Sequence, residues 1–152
     1  MHQKERRRWL GKRPHSEEDL GILPWLRDRG SLTARLQALG PFAVRTRFQG
    51  LAVPTLDEAH VLEIKPGHLA WVREVTLFCQ DAPLVFAHTV LPYRPRGPLT
   101  DWLARLGNRS LGALLFADPG FMRGKLANRR IDARHELFDA AEGRRFSEEH
   151  EA

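Results

Sequence analysis

The segment "WVREVTLFCQDAPLVFAHTVLP", from Trp71 to Pro92, constrains the fold more than any other part of the chain. Two runs rich in β-branched and aromatic residues flank the short polar sequence "CQDAP". This pattern is typical of an antiparallel β-hairpin, here with strands over residues 69–79 and 84–91. Side chains alternate between the two faces of a strand, so one face of the first strand carries Trp71, Arg73, Val75, Leu77 and Cys79.

Arg73 is the one charged residue on that otherwise apolar face, and two interpretations are open. It could be an edge-strand arginine whose aliphatic stem packs while its guanidinium reaches water. It could instead point into a pocket and await an anion, because its fork of donors matches a carboxylate. An unpaired buried charge costs on the order of several kcal/mol, so a buried Arg73 needs a carboxylate from the protein or from a ligand.

The N-terminal half of the chain predicts one helix and a further strand. Ser31 is a good helix N-cap, and Gly40 follows the periodic leucines as a stop signal. Residues 41–53 predict a strand in which Gly50 marks a bulge or turn. Residues 54–68 predict a connection with a short helical piece.

The C-terminal half predicts a proline-rich loop, "YRPRGP", over residues 93–98 and then two more helices. The first helix is capped by Thr100 and runs to Leu106, and the second, "LGALLF", is capped by Ser110. Leu111 begins the second helix, and the free N–H groups of a helix start can bind anions. Beyond Phe116 we expect a strand near residues 126–131 and then a helix or frayed tail. Strands and helices without regular alternation favour an α+β fold with a mostly antiparallel sheet.

Charge and composition limit the partners of the chain. Residues 1–13 carry six basic side chains and one acidic one, which accounts for the whole net charge of +5. We therefore expect a solvated basic tail over residues 1–19, a domain over residues 20–140 and a charged tail over residues 141–152, and we disfavour nucleic-acid binding. With no membrane-length apolar run, no secretory signal and one cysteine, a cytoplasmic monomer is the expectation.

The common catalytic and cofactor motifs are missing or incomplete. "GFMRGK" has too few residues between its glycines for a phosphate loop, and no GxGxxG or GxSxG sequence occurs. There is no CxxC pair, and His135-Glu136 lacks the second histidine of a zinc helix, so no metal is expected. Cys79 is best interpreted as an inert buried thiol, and His88 as a satisfied core or rim histidine and not a catalytic one.

Three segments in the right order resemble the chorismate pyruvate-lyase family. "WLRDRGSLTARL" resembles the family's N-terminal helix motif, and the hairpin from Trp71 to Pro92 resembles its central hairpin, which ends in "TVxP". "LARLGNRSLGALLF" resembles its "LG…LG…LF" segment. The resemblance covers roughly residues 23–130.

The resemblance implies an antiparallel sheet with flanking helices and a buried ligand pocket. It implies cleavage of chorismate to 4-hydroxybenzoate and pyruvate without a metal or other cofactor, as a step of ubiquinone biosynthesis. Arg73 falls on the family's substrate-binding arginine, and Leu111 on a leucine whose main chain contacts the ligand. Leu32 falls near a hydrophobic position of the pocket.

The family's catalytic glutamate, on a late strand in a pattern like "PLLxxExFLP", has no clear copy here. Glu136 in "RHELFD" could stand in for it as a catalytic residue. In the alternative alignment, slightly favoured, this segment is a helix upstream of that strand, and the chain ends before the last strands. The second functional hypothesis is therefore a catalytically impaired module of the same fold that binds small aromatic carboxylates.

Overall fold

A computed structural model describes residues 21–93 and 98–142, so the predicted tail over residues 1–19, residues 94–97 of the predicted loop and residues 143–152 lie outside the described residues. The chain divides into two compact units. One spans Leu23–Gly124, and the described part of the other consists of residues 21–22 and 125–142. The elements, in chain order, are α1 (Leu23–Arg27), α2 (Leu32–Gln37), β1 (Phe42–Ala52), α3 (Leu56–Val61), β2 (Ala70–Cys79), β3 (Ala82–Pro92), α4 (Pro98–Ala104), α5 (Leu111–Ala117) and α6 (Phe138–Ala141).

The three strands form one antiparallel sheet in the order β1-β2-β3, which confirms the predicted fold class. The predicted hairpin is β2 and β3. Its turn is Gln80-Asp81, and both residues have positive φ values, 51° and 63°. This is the geometry of a tight two-residue hairpin turn, and it lets β3 begin at Ala82, two residues earlier than predicted.

A β-bulge interrupts the pairing of β1 with β2. Thr46 pairs with Val75 and Phe48 pairs with Glu74, so Arg47 is the extra residue. The predicted bulge at Gly50 is wrong, because Gly50 pairs regularly with Val72. From Phe48 onwards, each residue of β1 therefore pairs with the β2 residue that its preceding neighbour would face in a regular ladder.

Side-chain caps define three of the helices. The predicted caps are confirmed, since the hydroxyls of Ser31 and Ser110 accept hydrogen bonds from backbone N–H groups in the first turns of α2 and α5. Thr55 and Glu58 form a capping box at the start of α3, the predicted short helical piece. Thr100 is not an N-cap, because α4 begins at Pro98; proline is tolerated in a first helical turn, where its missing N–H is not needed.

Two apolar clusters hold the helices on one face of the sheet. In the first, Leu36 of α2 packs with Val75 and Leu77, and in the second, Leu103 and Leu106 pack with Trp71. The three β2 residues alternate along the strand and therefore point to the same side. A central strand buried in this way anchors both the N-terminal and the C-terminal helices of the unit Leu23–Gly124.

The described residues 125–142 of the other unit contain one short helix, α6. The predicted strand near residues 126–131 is wrong, since residues 121–132 have no regular secondary structure. An apolar residue at Leu126 and another at Ile131, separated by "ANRR", do not give the alternation that would fix a strand face.

Candidate functional site

Arg73 lies in β2, the central strand, and is only 2% exposed. The edge-strand interpretation is therefore wrong, because the guanidinium does not reach solvent. It is one of the largest fully buried side chains in the described residues. A charged group in this position must be compensated by hydrogen bonds or by a partner of opposite charge.

Two neutral groups accept hydrogen bonds from the guanidinium of Arg73. Its Nη1 donates to the Oε1 atom of Gln49 over 2.7 Å, and its Nη2 donates to the main-chain carbonyl of Arg109 over 3.0 Å. Burial lowers the pKa of Arg73, but a guanidinium stays protonated in proteins. Neither acceptor carries a formal charge, so these contacts satisfy donors of Arg73 without neutralising it.

Arg73 belongs to a polar row that crosses the sheet between the two apolar clusters. Its neighbours in the row are Gln49 of β1 and Thr89 of β3. The adjacent rows contain Trp71 on one side and Val75 on the other, one from each cluster. The positive charge is thus enclosed by apolar layers, where an anion would interact with it more strongly than in water.

A cleft of about 500 Å³ lies between α2, the first residues of β1 and the start of α5. Thr33, Asn108, Arg109 and Ser110 are among its polar lining residues. The hydroxyls of Thr33 and Ser110 lie 2.5 Å apart and join α2 to α5. Arg73 is not a lining residue of this cleft, but its Nη2 donates to the carbonyl of Arg109, which is one.

The structure places the other predicted site residues as follows. Leu111 is the first residue of α5 and packs against the cluster around Trp71. Leu32 is the first residue of α2, 38% exposed, next to the cleft-lining Thr33. Arg73 and the residues just before Leu111 are therefore brought together.

Glu136 belongs to the other unit, where it is exposed in a turn before α6. It lies neither on a strand nor inside a described helix, unlike the late-strand glutamate of the family pattern. Its catalytic role stays a prediction.

No sequence pattern predicted Gln49 or the carbonyl of Arg109 as partners of Arg73. A main-chain carbonyl leaves no signal in the residue types. Gln49 left no signal either, because apolar or β-branched residues recur at every second position from Phe42 to Phe48 and the period of two continues through Arg47. The bulge that places Gln49 opposite Arg73 is visible only in the pairing of β1 with β2.

A second polar cluster lies on the opposite face of the sheet and consists of Glu58, Glu74 and His88. The Nδ1 atom of His88 lies 3.0 Å from Oε1 of Glu74, its neighbour across the hairpin. Its Nε2 atom lies 3.0 Å from Oε1 of Glu58 in α3, as an ion pair that is not a regular hydrogen bond. The side chain of His88 is 8% exposed and both ring nitrogens face carboxylates, as expected for a core or rim histidine with structural partners.

The two carboxylates control the protonation of His88. Burial would lower the pKa of His88, but the contacts with Glu58 and Glu74 and their negative charges raise it to about 9. Burial would likewise raise the pKa of Glu58, but contacts with His88 and with the backbone of Thr55 lower it. The cluster is therefore a protonated histidine held between two carboxylates near neutral pH.

Together, these features define an α+β protein whose antiparallel sheet buries an arginine in its central strand. The chain belongs to the chorismate lyase family, whose sequence model matches residues 4–149. This confirms the family resemblance of the three segments.

Several curated relatives carry the name "Probable chorismate pyruvate-lyase". The relative from Dechloromonas aromatica is 45% identical over 139 residues, 90% of this chain and 78% of that protein. The relative from Aromatoleum aromaticum is 43% identical over 137 residues, 88% of this chain and 72% of that protein. The relative from Halorhodospira halophila is 45% identical over 112 residues, 74% of this chain and 59% of that protein. No solved structure matches the chain at a significant level.

Two kinds of site are absent from residues 21–93 and 98–142, the part of the chain that the structure describes. Within these ranges, no three side chains of histidine, cysteine, aspartate or glutamate are grouped as metal ligands. No helix there has the length and apolar character needed to cross a membrane.

Proposed function

We propose that the chain is a chorismate pyruvate-lyase that converts chorismate to 4-hydroxybenzoate and pyruvate for ubiquinone biosynthesis, as a monomer in the cytoplasm. The observation that carries the proposal is the buried, uncompensated charge of Arg73 in a chain 45% identical to a relative of that name. A buried arginine held only by neutral acceptors is suited to an anionic ligand.

Arg73 binds a carboxylate of the substrate in this proposal. The guanidinium has five N–H donors, and two of them reach the carbonyl groups of Gln49 and Arg109. Its charge, enclosed by apolar rows, attracts a carboxylate that gives up its own hydration. A bidentate pair would also fix the orientation of the ring that carries the carboxylate.

Two leucines complete the proposed ligand site. Leu111 contributes its backbone N–H as a donor, two residues after the carbonyl of Arg109 that accepts from Arg73. Leu32, beside the cleft-lining Thr33, contributes an apolar side chain against the ring. Their positions on α2 and α5 are linked by the contact between the hydroxyls of Thr33 and Ser110.

The chemistry needs positioning more than covalent help. The C–O bond between the ring and the enolpyruvyl group breaks, the adjacent ring carbon loses its proton, and the released enolpyruvate takes up a proton to become pyruvate. The ring becomes aromatic, which supplies a large driving force. Placement of charge near the departing oxygen and the carboxylates can therefore account for much of the acceleration.

Glu136 is the proposed group for proton transfer at the ring or at the leaving oxygen, by analogy with the family's glutamate. A carboxylate near the reacting atoms can donate or accept a proton in such a step. The proposal predicts that Glu136→Gln retains ligand binding and loses turnover. Full activity of that variant would remove Glu136 from the mechanism without affecting the role of Arg73.

The test is an assay of the purified full-length chain with chorismate. We expect 4-hydroxybenzoate and pyruvate in equal amounts, with each product quantified separately, and we expect EDTA to leave the rate unchanged. Binding of 4-hydroxybenzoate without turnover would contradict a lyase and favour a binding module. Neither binding nor turnover by a folded protein would overturn the proposed function altogether.

A further inference from the structure

We infer that Gln49 is a positioning residue that fixes the orientation of the Arg73 guanidinium. The bulge at Arg47 places Gln49 opposite Arg73 and so makes this contact possible. The inference rests on the proposed function insofar as Arg73 binds the substrate carboxylate. It assigns the orientation of that arginine to a residue that resemblance to the family did not single out.

The register of β1 against β2 determines which side chain stands opposite Arg73. Thr46 opposes Val75, so a regular ladder would continue with Arg47 opposite Glu74 and Phe48 opposite Arg73. Arg47 is instead the extra residue, and Gln49 stands opposite Arg73. The bulge therefore replaces an aromatic ring with an amide at the position that faces the guanidinium.

Gln49 makes two side-chain hydrogen bonds that fix the orientation of its amide. Its Oε1 accepts from Nη1 of Arg73 over 2.7 Å, and its Nε2 donates to the carbonyl of Ala104 over 3.2 Å. The reverse orientation of the amide would face two donors toward each other and two acceptors toward each other, so these contacts fix its rotamer. Gln49 thereby ties Arg73 to the C-terminal end of α4.

The acceptors that hold the guanidinium of Arg73 are uncharged. Gln49 and the carbonyl of Arg109 hold the two η-nitrogens of Arg73 with neutral acceptors. A glutamine can thus fix the direction of the guanidinium and leave its full charge for a ligand. Because a bidentate contact with a carboxylate depends on the plane of the guanidinium, loss of this hold should weaken binding.

The experiment compares Gln49→Met with a matched control, Gln80→Met. Methionine has similar length and no amide, and Gln80 likewise donates to a main-chain carbonyl, that of Leu39, at the other end of the sheet. We expect Gln49→Met to raise the Kd of 4-hydroxybenzoate and the KM of chorismate by about tenfold, and Gln80→Met to change neither. Equal effects of the two variants would overturn the inference.

A double-mutant cycle separates positioning from a general structural role. In an Arg73→Ala background, Gln49→Met should leave the residual Kd unchanged, since the arginine it positions is gone. A tenfold loss in both backgrounds would overturn the inference. Gln49→Glu keeps an acceptor for Nη1 but pairs the charge of Arg73 with a carboxylate, so it should bind 4-hydroxybenzoate more weakly than wild type; wild-type affinity in this variant would overturn the requirement for a neutral acceptor.

One readout does not depend on the proposed function. The η-nitrogens of a held guanidinium rotate slowly about the Cζ–Nη bonds, and ¹⁵N-detected NMR of Arg73 measures this rate without a ligand. We expect Gln49→Met to accelerate the rotation and Gln80→Met to leave it unchanged. If wild-type protein neither binds nor turns over ligand but shows this difference, the proposed function fails and the positioning of Arg73 by Gln49 stands. If the rate is the same in all three proteins, the inference fails.

Discussion

Replacement of His88 by glutamine should destabilise the protein strongly near neutral pH and much less at high pH. His88 is a protonated side chain held between Glu58 and Glu74, with both nitrogens 3.0 Å from a carboxylate oxygen. The variant leaves two carboxylates facing a neutral amide, and Glu74 has a side chain only 4% exposed. Loss of one partner from a buried ion pair costs about 3–5 kcal/mol.

The pH dependence follows from the pKa of His88, which is raised from 6.5 to about 9 in the folded protein. A raised pKa contributes stability that is fully present below the unfolded value and is lost as the pH rises through the folded value. A rise of this size corresponds to about 3 kcal/mol. Wild-type protein should therefore lose roughly this amount of stability between about pH 6 and about pH 10 through His88.

Urea unfolding of wild-type protein and His88→Gln across that pH range measures the effect. The difference between their free energies of unfolding removes contributions from groups that titrate alike in both proteins. We expect this difference to shrink by about 3 kcal/mol from about pH 6 to about pH 10. A difference that stays constant would refute the assignment of a protonated His88, even if the variant were destabilised at every pH.

Two further substitutions test other parts of the fold and site. Arg73→Ala should weaken binding of 4-hydroxybenzoate by about 2–4 kcal/mol, because it removes a charge-assisted partner from a shielded site; calorimetry measures this, and unchanged affinity in a folded variant would remove Arg73 from the site. Thr55→Val should lower the free energy of unfolding by about 1 kcal/mol, because the capping box at the start of α3 loses its hydroxyl; an unchanged urea midpoint would show that the box contributes nothing.

The hairpin and the capped helices could be predicted from sequence because their signals are local. Runs of β-branched and aromatic residues around a short polar turn predicted β2 and β3, and the hydroxyls of Ser31 and Ser110 cap the helices that immediately follow them. The misses among the elements have local causes too. The prediction assigned Pro98 to a loop and started the helix after Thr100. The helix α4 begins at Pro98, because proline fits a first helical turn.

The surroundings of Arg73 could not be predicted in the same way, because they depend on how distant segments meet. The alternation pattern was compatible with Arg73 on an edge strand and with Arg73 in a pocket. Only the pairing of β1 and β3 on either side of β2 shows that its strand is central. The contact with Gln49 depends on a one-residue shift in a strand whose glycine suggested the wrong bulge. The contact with the carbonyl of Arg109 depends on tertiary structure alone.

The two-residue turn at Gln80-Asp81 has a consequence for the order in which the site assembles. It closes the smallest loop in the sheet, so β2 and β3 can pair early and at little cost in chain entropy. β1 is joined to β2 by residues 53–69 and must close a longer loop before Gln49 meets Arg73. We therefore expect Arg73 to remain hydrated through the early stages of folding and to lose its water when β1 and the α4–α5 segment dock.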